Sequence, residues 1–260
     1  MTGAAGFAGI PGFYRRAKPL RTDHPTHANA PGASVFLFSE RMRVNHVAHR
    51  ETRNGYENCN IGVFSDIAGK YDIPVIQPLY ELDCKEFIGF DANKEKHLDK
   101  GIHFFLHDYQ FERVWRSIEQ YTAILSRHPC VFAPDFSPYA DFPKIIQIYN
   151  HYRKHYCAAY WQLHGLTVIP TITWSYPDSY DFCFDGEPQD SIVAVSSVSV
   201  MNSAEGRKLF IDGFEEMMNR LHPRRILFNG KVPDELKSLE IIEPIKDSYS
   251  RYKKASGTDG

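Results

Sequence analysis

The sequence predicts an α/β protein with a mostly parallel sheet, shaped as a degenerate (β/α) barrel. Short apolar runs of strand type alternate with amphipathic helical segments along most of the chain. Several of these runs lack the polar alternation of a strand that faces water, as is typical of buried parallel strands. Alternation of this kind implies right-handed crossovers. Helices are missing from several links, which indicates a degenerate barrel. An open doubly wound sheet is the alternative, and periodicity does not separate the two.

Composition sets the broad class of the protein. The chain has 260 residues and a formal net charge of −2, so no overall field indicates nucleic-acid binding. Five scattered cysteines without a CxxC pair favour a reducing, cytoplasmic setting. No apolar run approaches the ~20 residues of a membrane span. We predict a flexible basic Gly/Pro-rich arm at 1–33, a single α/β domain at 34–245 and a polar tail at 246–260.

The strands are predicted from short apolar runs bounded by turn residues. Early links between them are too short for a crossover helix and allow a turn or one helical turn. In order, the runs are residues 34–38, 74–77, 86–90, 102–106, 130–134, 167–174, 191–198, 224–229 and 239–245.

Three helices are predicted from apolar residues at three- and four-residue steps. The first begins near Phe111, with Asp108 as its N-cap. The second spans about 142–164 and carries a stripe of tyrosines. The third follows Asn202 and Glu205, which have the spacing of a capping box.

Eight segments, in order along residues 73–245, carry a family resemblance. They are IPVIQP (73–78), IGFDAN (88–93), GIHFFLHDYQFERVW (101–115), PDFSPYADFP (134–143), YRKHYCAAYWQLHGLTVIPTITWS (152–175), DFCFDG (181–186), SIVAVSSV (191–198) and FIDGFEEM (210–217). With these segments the sequence resembles domain of unknown function 4417, a family of bacteria, phages and mobile genetic elements. The resemblance implies one intact domain and a mobile-element setting. It implies no reaction.

Three aspartates follow predicted strands: Asp91, Asp108 and Asp135. If these strands are parallel neighbours, the three carboxylates lie at the same edge of the sheet. Close carboxylates hold Mg²⁺ or Mn²⁺ for phosphoryl chemistry, or they raise the pKa of one member and separate acid from base roles. His107 would join them as a ligand or base. The structural alternative is that Asp108 caps a helix and Asp135 shapes a turn.

Further polar residues end strands and would bind substrate at this edge. Trp174 would stack on a base or sugar ring. Asp181 and Asp185 lie in the loop after strand 167–174 and would cover the edge as a lid, with the aromatic residues between them packed inward. The alternative is an aromatic plug. The hydrogen-bonding candidates are Ser137, Ser175, Ser196 and Asn229.

Basic residues give a second hypothesis. A helix face that presents only cations can lie along a phosphate backbone, and a basic arm can add to it. A solvated helix face is the alternative. The candidate residues are Arg15, Arg16 and Lys18 of the arm and Lys144 and Lys154 of the long helix.

The histidines show two patterns. His151 and His155 share the basic face of the long helix, opposite the tyrosine stripe. His46 and His49 lie near Cys59, but no fourth ligand of a zinc site is evident, and we interpret them as solvated loop residues.

Three function hypotheses from different classes follow. The first is a metal-assisted phosphodiester or nucleotide hydrolase that uses the three aspartates. The second is a nucleic-acid-binding accessory protein without catalysis, and the third is a protein-interaction module. The acidic edge favours the first, and the basic arm with the basic helix face favours the second.

Overall fold

The computed structural model describes residues 42–43, 60 and 62–245, and these fall within one compact unit. Four predictions lie outside the described residues: the arm at 1–33, the strand at 34–38, the group of His46, His49 and Cys59, and the tail at 246–260. No helix in the described part of the chain is long and apolar enough to cross a membrane.

The strands of the described residues are short. They are β1 (Met42–Arg43), β2 (Val63–Phe64), β3 (Ile67–Ala68), β4 (Ile73–Pro74), β5 (Phe87–Gly89), β6 (Gly101–His103), β7 (Val131–Phe132), β8 (Val168–Ile169), β9 (Ile192–Ser196), β10 (Arg225–Asn229) and β11 (Ile242–Pro244). β1 pairs with β2 and β3 pairs with β4, both antiparallel.

The main sheet is parallel and follows the order of the chain. β5, β6, β7 and β8 pair in that order, and β9, β10 and β11 pair in the same way. A parallel bridge between Thr171 and Ala194 joins the two groups. Around this bridge the Ile172 N–H donates to the Ala194 carbonyl at 2.8 Å. The predicted mostly parallel α/β fold is confirmed.

The sheet is open among the described residues, because β5 and β11 are not paired with each other. This agrees with the open-sheet alternative. The strand order runs with the chain, as it does in a (β/α) barrel, and does not reverse as it does in a doubly wound sheet.

The predicted strand at 74–77 is mostly an extended segment. Only β4 remains a strand, and the chain beyond it bonds to the loop before β9 and to the first residue of β9. The Ile76 N–H donates to the Gly186 carbonyl at 2.9 Å, and the Ile192 N–H donates to the Leu79 carbonyl at 2.7 Å.

The described residues form four α-helices: α1 (Glu112–Arg116), α2 (Ile118–Leu125), α3 (Lys144–Leu163) and α4 (Ala204–Leu221). The first predicted helix is divided at Ser117, whose backbone leaves the helical region. The N-cap of α4 is Ser203 and not Asn202, because Ser203 is extended and its Oγ accepts from the Gly206 N–H at 3.0 Å.

Helix α3 is central to the fold. It packs against β4, β8 and α1, so most of its residues are buried on all sides. Near its end, Trp161 stacks on Phe104, the residue after β6, with ring centroids 5.7 Å apart. One apolar cluster surrounds α3 and β5–β8, and a second lies between α4 and β9–β10.

Candidate functional site

A cleft of about 400 Å³ lies where the strands β6 to β10 end. Its walls come from the segments that follow each of these strands and from the first turns of α4. In parallel sheets this edge is where ligands bind. The cleft therefore lies at the edge that the sequence indicated.

Seven of the predicted site residues line this cleft. They are His107, Asp135, Ser137, Trp174, Ser175, Ser196 and Asn229. Asp91, Asp108, Asp181 and Asp185 are not among the residues that line it. Asp91 lies exposed in a 3₁₀ turn after β5.

Asp135 is the carboxylate in the cleft wall. Burial and the negative charge of Asp108 raise its pKa to about 7, and the positive charge of Lys154 opposes this rise. A carboxyl with a pKa near neutrality can both donate and accept a proton under ordinary conditions.

Asp108 supports the segment that carries Asp135. Its Oδ2 accepts from the Ser137 N–H at 3.0 Å, and its Oδ1 accepts from the Ser137 Oγ at 2.9 Å. Burial raises the pKa of Asp108, and the hydrogen bonds from Ser137 oppose that rise. The predicted helix cap at Asp108 is therefore wrong, because its carboxylate is turned toward Ser137.

A second layer of polar contacts holds the same segment from α3. The Asn150 Nδ2 donates to the Ser137 carbonyl at 2.8 Å. Arg153 donates to Asn150 Oδ1 at 2.7 Å and to both carboxylate oxygens of Glu112 at 2.8 Å. Sequence reasoning missed Asn150 and Arg153. Their three-residue spacing on a helix was the available signal.

Ser175 presents an unsatisfied hydroxyl at the cleft. The residue is 8% exposed, and its Oγ has no hydrogen-bond partner among the described residues. Its N–H donates to the Ser179 Oγ at 3.0 Å. A buried hydroxyl without a partner costs about 1–3 kcal/mol, so a bound polar group would stabilise this position.

Polar groups of β9 and β10 and the start of α4 also line the cleft. The Asn229 Nδ2 donates to the Ser196 Oγ at 2.9 Å. Ser203 and Gly206, in the first turn of α4, line the cleft. The N-terminus of an 18-residue helix favours negative charge, so this end of the cleft is suited to an anionic group.

The aromatic wall of the cleft depends on a close contact with α4. The Trp174 Nε1–H donates to the Leu209 carbonyl at 3.3 Å, and the Trp174 ring lies 5.4 Å from that of Phe210. Next to this ring α4 has Gly213. A Cβ at that position would lie 2.1 Å from the Trp174 Nε1.

Gly213→Ala is therefore expected to lower the free energy of unfolding by about 1–3 kcal/mol, because Trp174 must leave its position. Alanine is favoured over glycine in a helix by about 1 kcal/mol. A net decrease in the free energy of unfolding would therefore come from the close contact with Trp174. Urea unfolding followed by fluorescence measures it. Glu215→Ala, at an exposed position of the same helix, serves as the control. A gain in stability for Gly213→Ala would contradict this packing.

The predicted basic face of α3 is wrong at Lys154. Its side chain is 0% exposed, and its Nζ donates to Glu187 Oε1 at 2.6 Å and to the Thr171 carbonyl at 2.8 Å. Lys144 is partly exposed and pairs with Asp178 at 2.7 Å. The sequence-based interpretation failed because the segments around β4 and Glu187 cover this side of α3.

The loop with Asp181 and Asp185 covers α3 instead of the cleft. The aromatic residues between the two acids are buried, as predicted. Asp181 is exposed, and the main-chain carbonyl of Asp185 accepts from the His151 Nε2 at 3.0 Å. The expected lid over the cleft is therefore wrong, since the loop packs on the helix.

Comparisons with known proteins agree with the resemblance noted in the sequence. The Gene 1 protein of Mycobacterium phage L5 is 35% identical over 192 residues, which cover 71% of this chain and 82% of that protein. The Gene 1 protein of Mycobacterium phage D29 is 41% identical over 132 residues, 51% of this chain and about half (49%) of that protein. No solved structure matches. The model of the family "Domain of unknown function (DUF4417)" matches residues 65–245, so the chain belongs to this family.

Proposed function

We propose that the cleft is the active site of a phage-type phosphodiester or nucleotide hydrolase in which Asp135 transfers the proton. One observation carries the proposal: a carboxyl whose pKa is raised to about 7 lies in an aromatic-walled cleft where the parallel strands end. Such carboxyls are typical of general acid–base sites.

The walls of the cleft suit the two halves of a nucleotide. Trp174, Phe105 and Phe210 offer apolar surface for a base or sugar ring. Ser196 and the first turn of α4 offer polar groups for a phosphate. Asp135 lines the same cleft, so a nucleotide bound in it would share the cleft with this carboxyl.

The reaction needs only water as co-substrate. Ionised Asp135 accepts a proton from the attacking water as the new oxygen–phosphorus bond forms. The protonated carboxyl then donates to the leaving oxygen as the old phosphorus–oxygen bond breaks. A pKa near 7 populates both forms of Asp135 at neutral pH, which this exchange requires.

In a metal-assisted form of the reaction, Asp135 would be the protein ligand of the ion. Among the described residues it is the one carboxylate that lines the cleft, because Asp91 lies outside and Asp108 is bonded to Ser137. A Mg²⁺ or Mn²⁺ ion would be held by Asp135 together with substrate phosphate oxygens and water, the oxygen ligands that these ions prefer.

Asp135→Asn is expected to lower kcat/KM by at least about 100-fold, because the amide cannot transfer the proton. The full chain would be assayed on nucleotides, dinucleotides and an aryl phosphodiester, with and without Mg²⁺ or Mn²⁺. Asp141→Asn is the matched control, an exposed aspartate six residues further along the chain. Equal loss in both variants, or no turnover of any substrate by the native chain, would contradict the proposal.

The accessory-protein alternative depends on the arm. Its remaining candidates are Arg15, Arg16 and Lys18, which lie outside the described residues, and Lys144. Salt-sensitive retention of DNA or RNA by a chain that turns over none of the substrates would support it, provided that Glu at the three arm positions abolishes retention. If the chain neither turns over a substrate nor retains nucleic acid, the remaining hypothesis is a protein-interaction module.

A further inference from the structure

We propose that His151, His155 and Glu187 form a buried binding site for a divalent transition-metal ion of the zinc type, separate from the cleft. One ligating atom of each side chain lies within 4.8 Å of the other two, and all three residues are buried. The two histidines are one turn apart on α3, and Glu187 lies in the loop before β9.

The main chain orients both imidazole rings. The His151 Nε2 lies 3.0 Å from the Asp185 carbonyl, and the His155 Nδ1 lies 2.8 Å from the Pro74 carbonyl. A carbonyl can only accept, so each of these nitrogens carries a hydrogen when it bonds there. In a neutral ring the other nitrogen then has a lone pair, available to a metal ion.

Acceptor atoms converge around Glu187. The His155 Nε2 lies 3.0 Å from Glu187 Oε1. A neutral His155 can donate to Pro74 or to Glu187 but not to both. In addition, the His151 Nδ1 and the Glu187 Oε2 are buried and have no hydrogen-bond partner among the described residues. Buried side chains whose ligating atoms lie this close together are stabilised by a cation between them.

The donor set and its support match those of metal centres. Two histidines and one carboxylate with a further open position are a known ligand set of zinc. Metal-bound histidines usually donate their other N–H to a backbone carbonyl or a carboxylate, as both rings do here. The His151 Nδ1 is buried without a hydrogen-bond partner among the described residues, so a ring that donates through Nε2 has its Nδ1 lone pair available for coordination.

Lys154 and a proton on His155 could together neutralise Glu187 without a metal ion. The Lys154 ammonium already binds Glu187 Oε1, which leaves Oε2 for the metal ion. A proton on His155 would also satisfy Glu187. The experiment must therefore distinguish a metal ion from a proton.

The test uses the full chain after treatment with a chelator and dialysis. Titration with Zn²⁺ is expected to give one retained equivalent per chain and a higher thermal midpoint, because the ion binds the native state. Co²⁺ is expected to give the intense visible absorption of a tetrahedral site. Native protein that retains neither ion would overturn the proposal and leave a proton between His155 and Glu187.

Variants assign the site to these residues. His151→Gln and Glu187→Gln are expected to lose the retained equivalent, whereas the double variant His46→Gln, His49→Gln is expected to keep it. Loss of the ion in that double variant alone would overturn the assignment. His151→Cys covers the case in which the glutamine variants fail to fold. With Co²⁺ it is expected to add a sulfur-to-cobalt charge-transfer band, and a folded Co²⁺-bound variant without this band would also overturn the proposal.

Discussion

Replacing Lys154 with methionine is expected to lower the free energy of unfolding by roughly 3–5 kcal/mol. The lysine side chain is 0% exposed and pairs with Glu187, which is itself 0% exposed at its side chain. Methionine keeps a similar length but leaves the carboxylate buried without this cation. Urea unfolding in the presence of a chelator measures the effect, so that no metal ion replaces the missing charge.

The chain offers a matched control on the same helix. Lys144→Met removes a lysine whose side chain is 37% exposed and pairs with Asp178, so the expected change is within about 1 kcal/mol. The double variant Lys154→Met, Glu187→Gln is expected to recover part of the loss, since both charges are then removed. Similar losses at Lys144 and Lys154 would contradict the burial of Lys154.

Asp135→Asn is expected to stabilise the protein at pH 8 by about 2 kcal/mol. The pKa of Asp135 is raised to about 7 in the folded chain, against about 4 in the unfolded chain. Between these values the unfolded state has released a proton that the native state retains. The stability of the native protein therefore falls as pH rises from about 4 to about 7, and asparagine removes this fall.

Thermal unfolding of both proteins between pH 4 and pH 8 measures the difference. The stability of Asp135→Asn relative to the native chain should increase across that range and level off above about pH 7. Asp141→Asn, which changes an exposed carboxylate, should give a curve parallel to that of the native chain. A difference in thermal midpoint between Asp135→Asn and the native chain that stays the same at every pH would contradict a raised pKa of Asp135.

The sheet could be predicted because its strands are short buried runs with polar ends. The same pattern located the cleft, since parallel strands bring Asp135, Trp174 and Asn229 to one edge whatever the details of the loops. Whether the sheet closes into a barrel depends on whether its two edge strands pair with each other. That is a property of sheet curvature and is not visible in periodicity.

The burial of the polar side chains on α3 could not be predicted from their polarity. Lys154, His151 and His155 have the spacing of a solvated face, and single-sequence patterns treat charged residues as exposed. Their burial depends on Glu187, 33 residues beyond Lys154, which supplies the opposite charge. The four-residue spacing of the two histidines on a helix was the local sign of a possible ligand pair.

The order of strands in the open sheet has a consequence for how the chain folds during synthesis. Within each of the two groups, β5 to β8 and β9 to β11, every strand pairs with the strand made next, so each group can grow as the chain leaves the ribosome. The contact of Lys154 with Glu187 cannot form until residue 187 has emerged. A nascent chain that ends before Glu187 contains β5 to β8 and α3 but lacks the carboxylate that neutralises Lys154. Helix α3 therefore docks fully only after this point in translation.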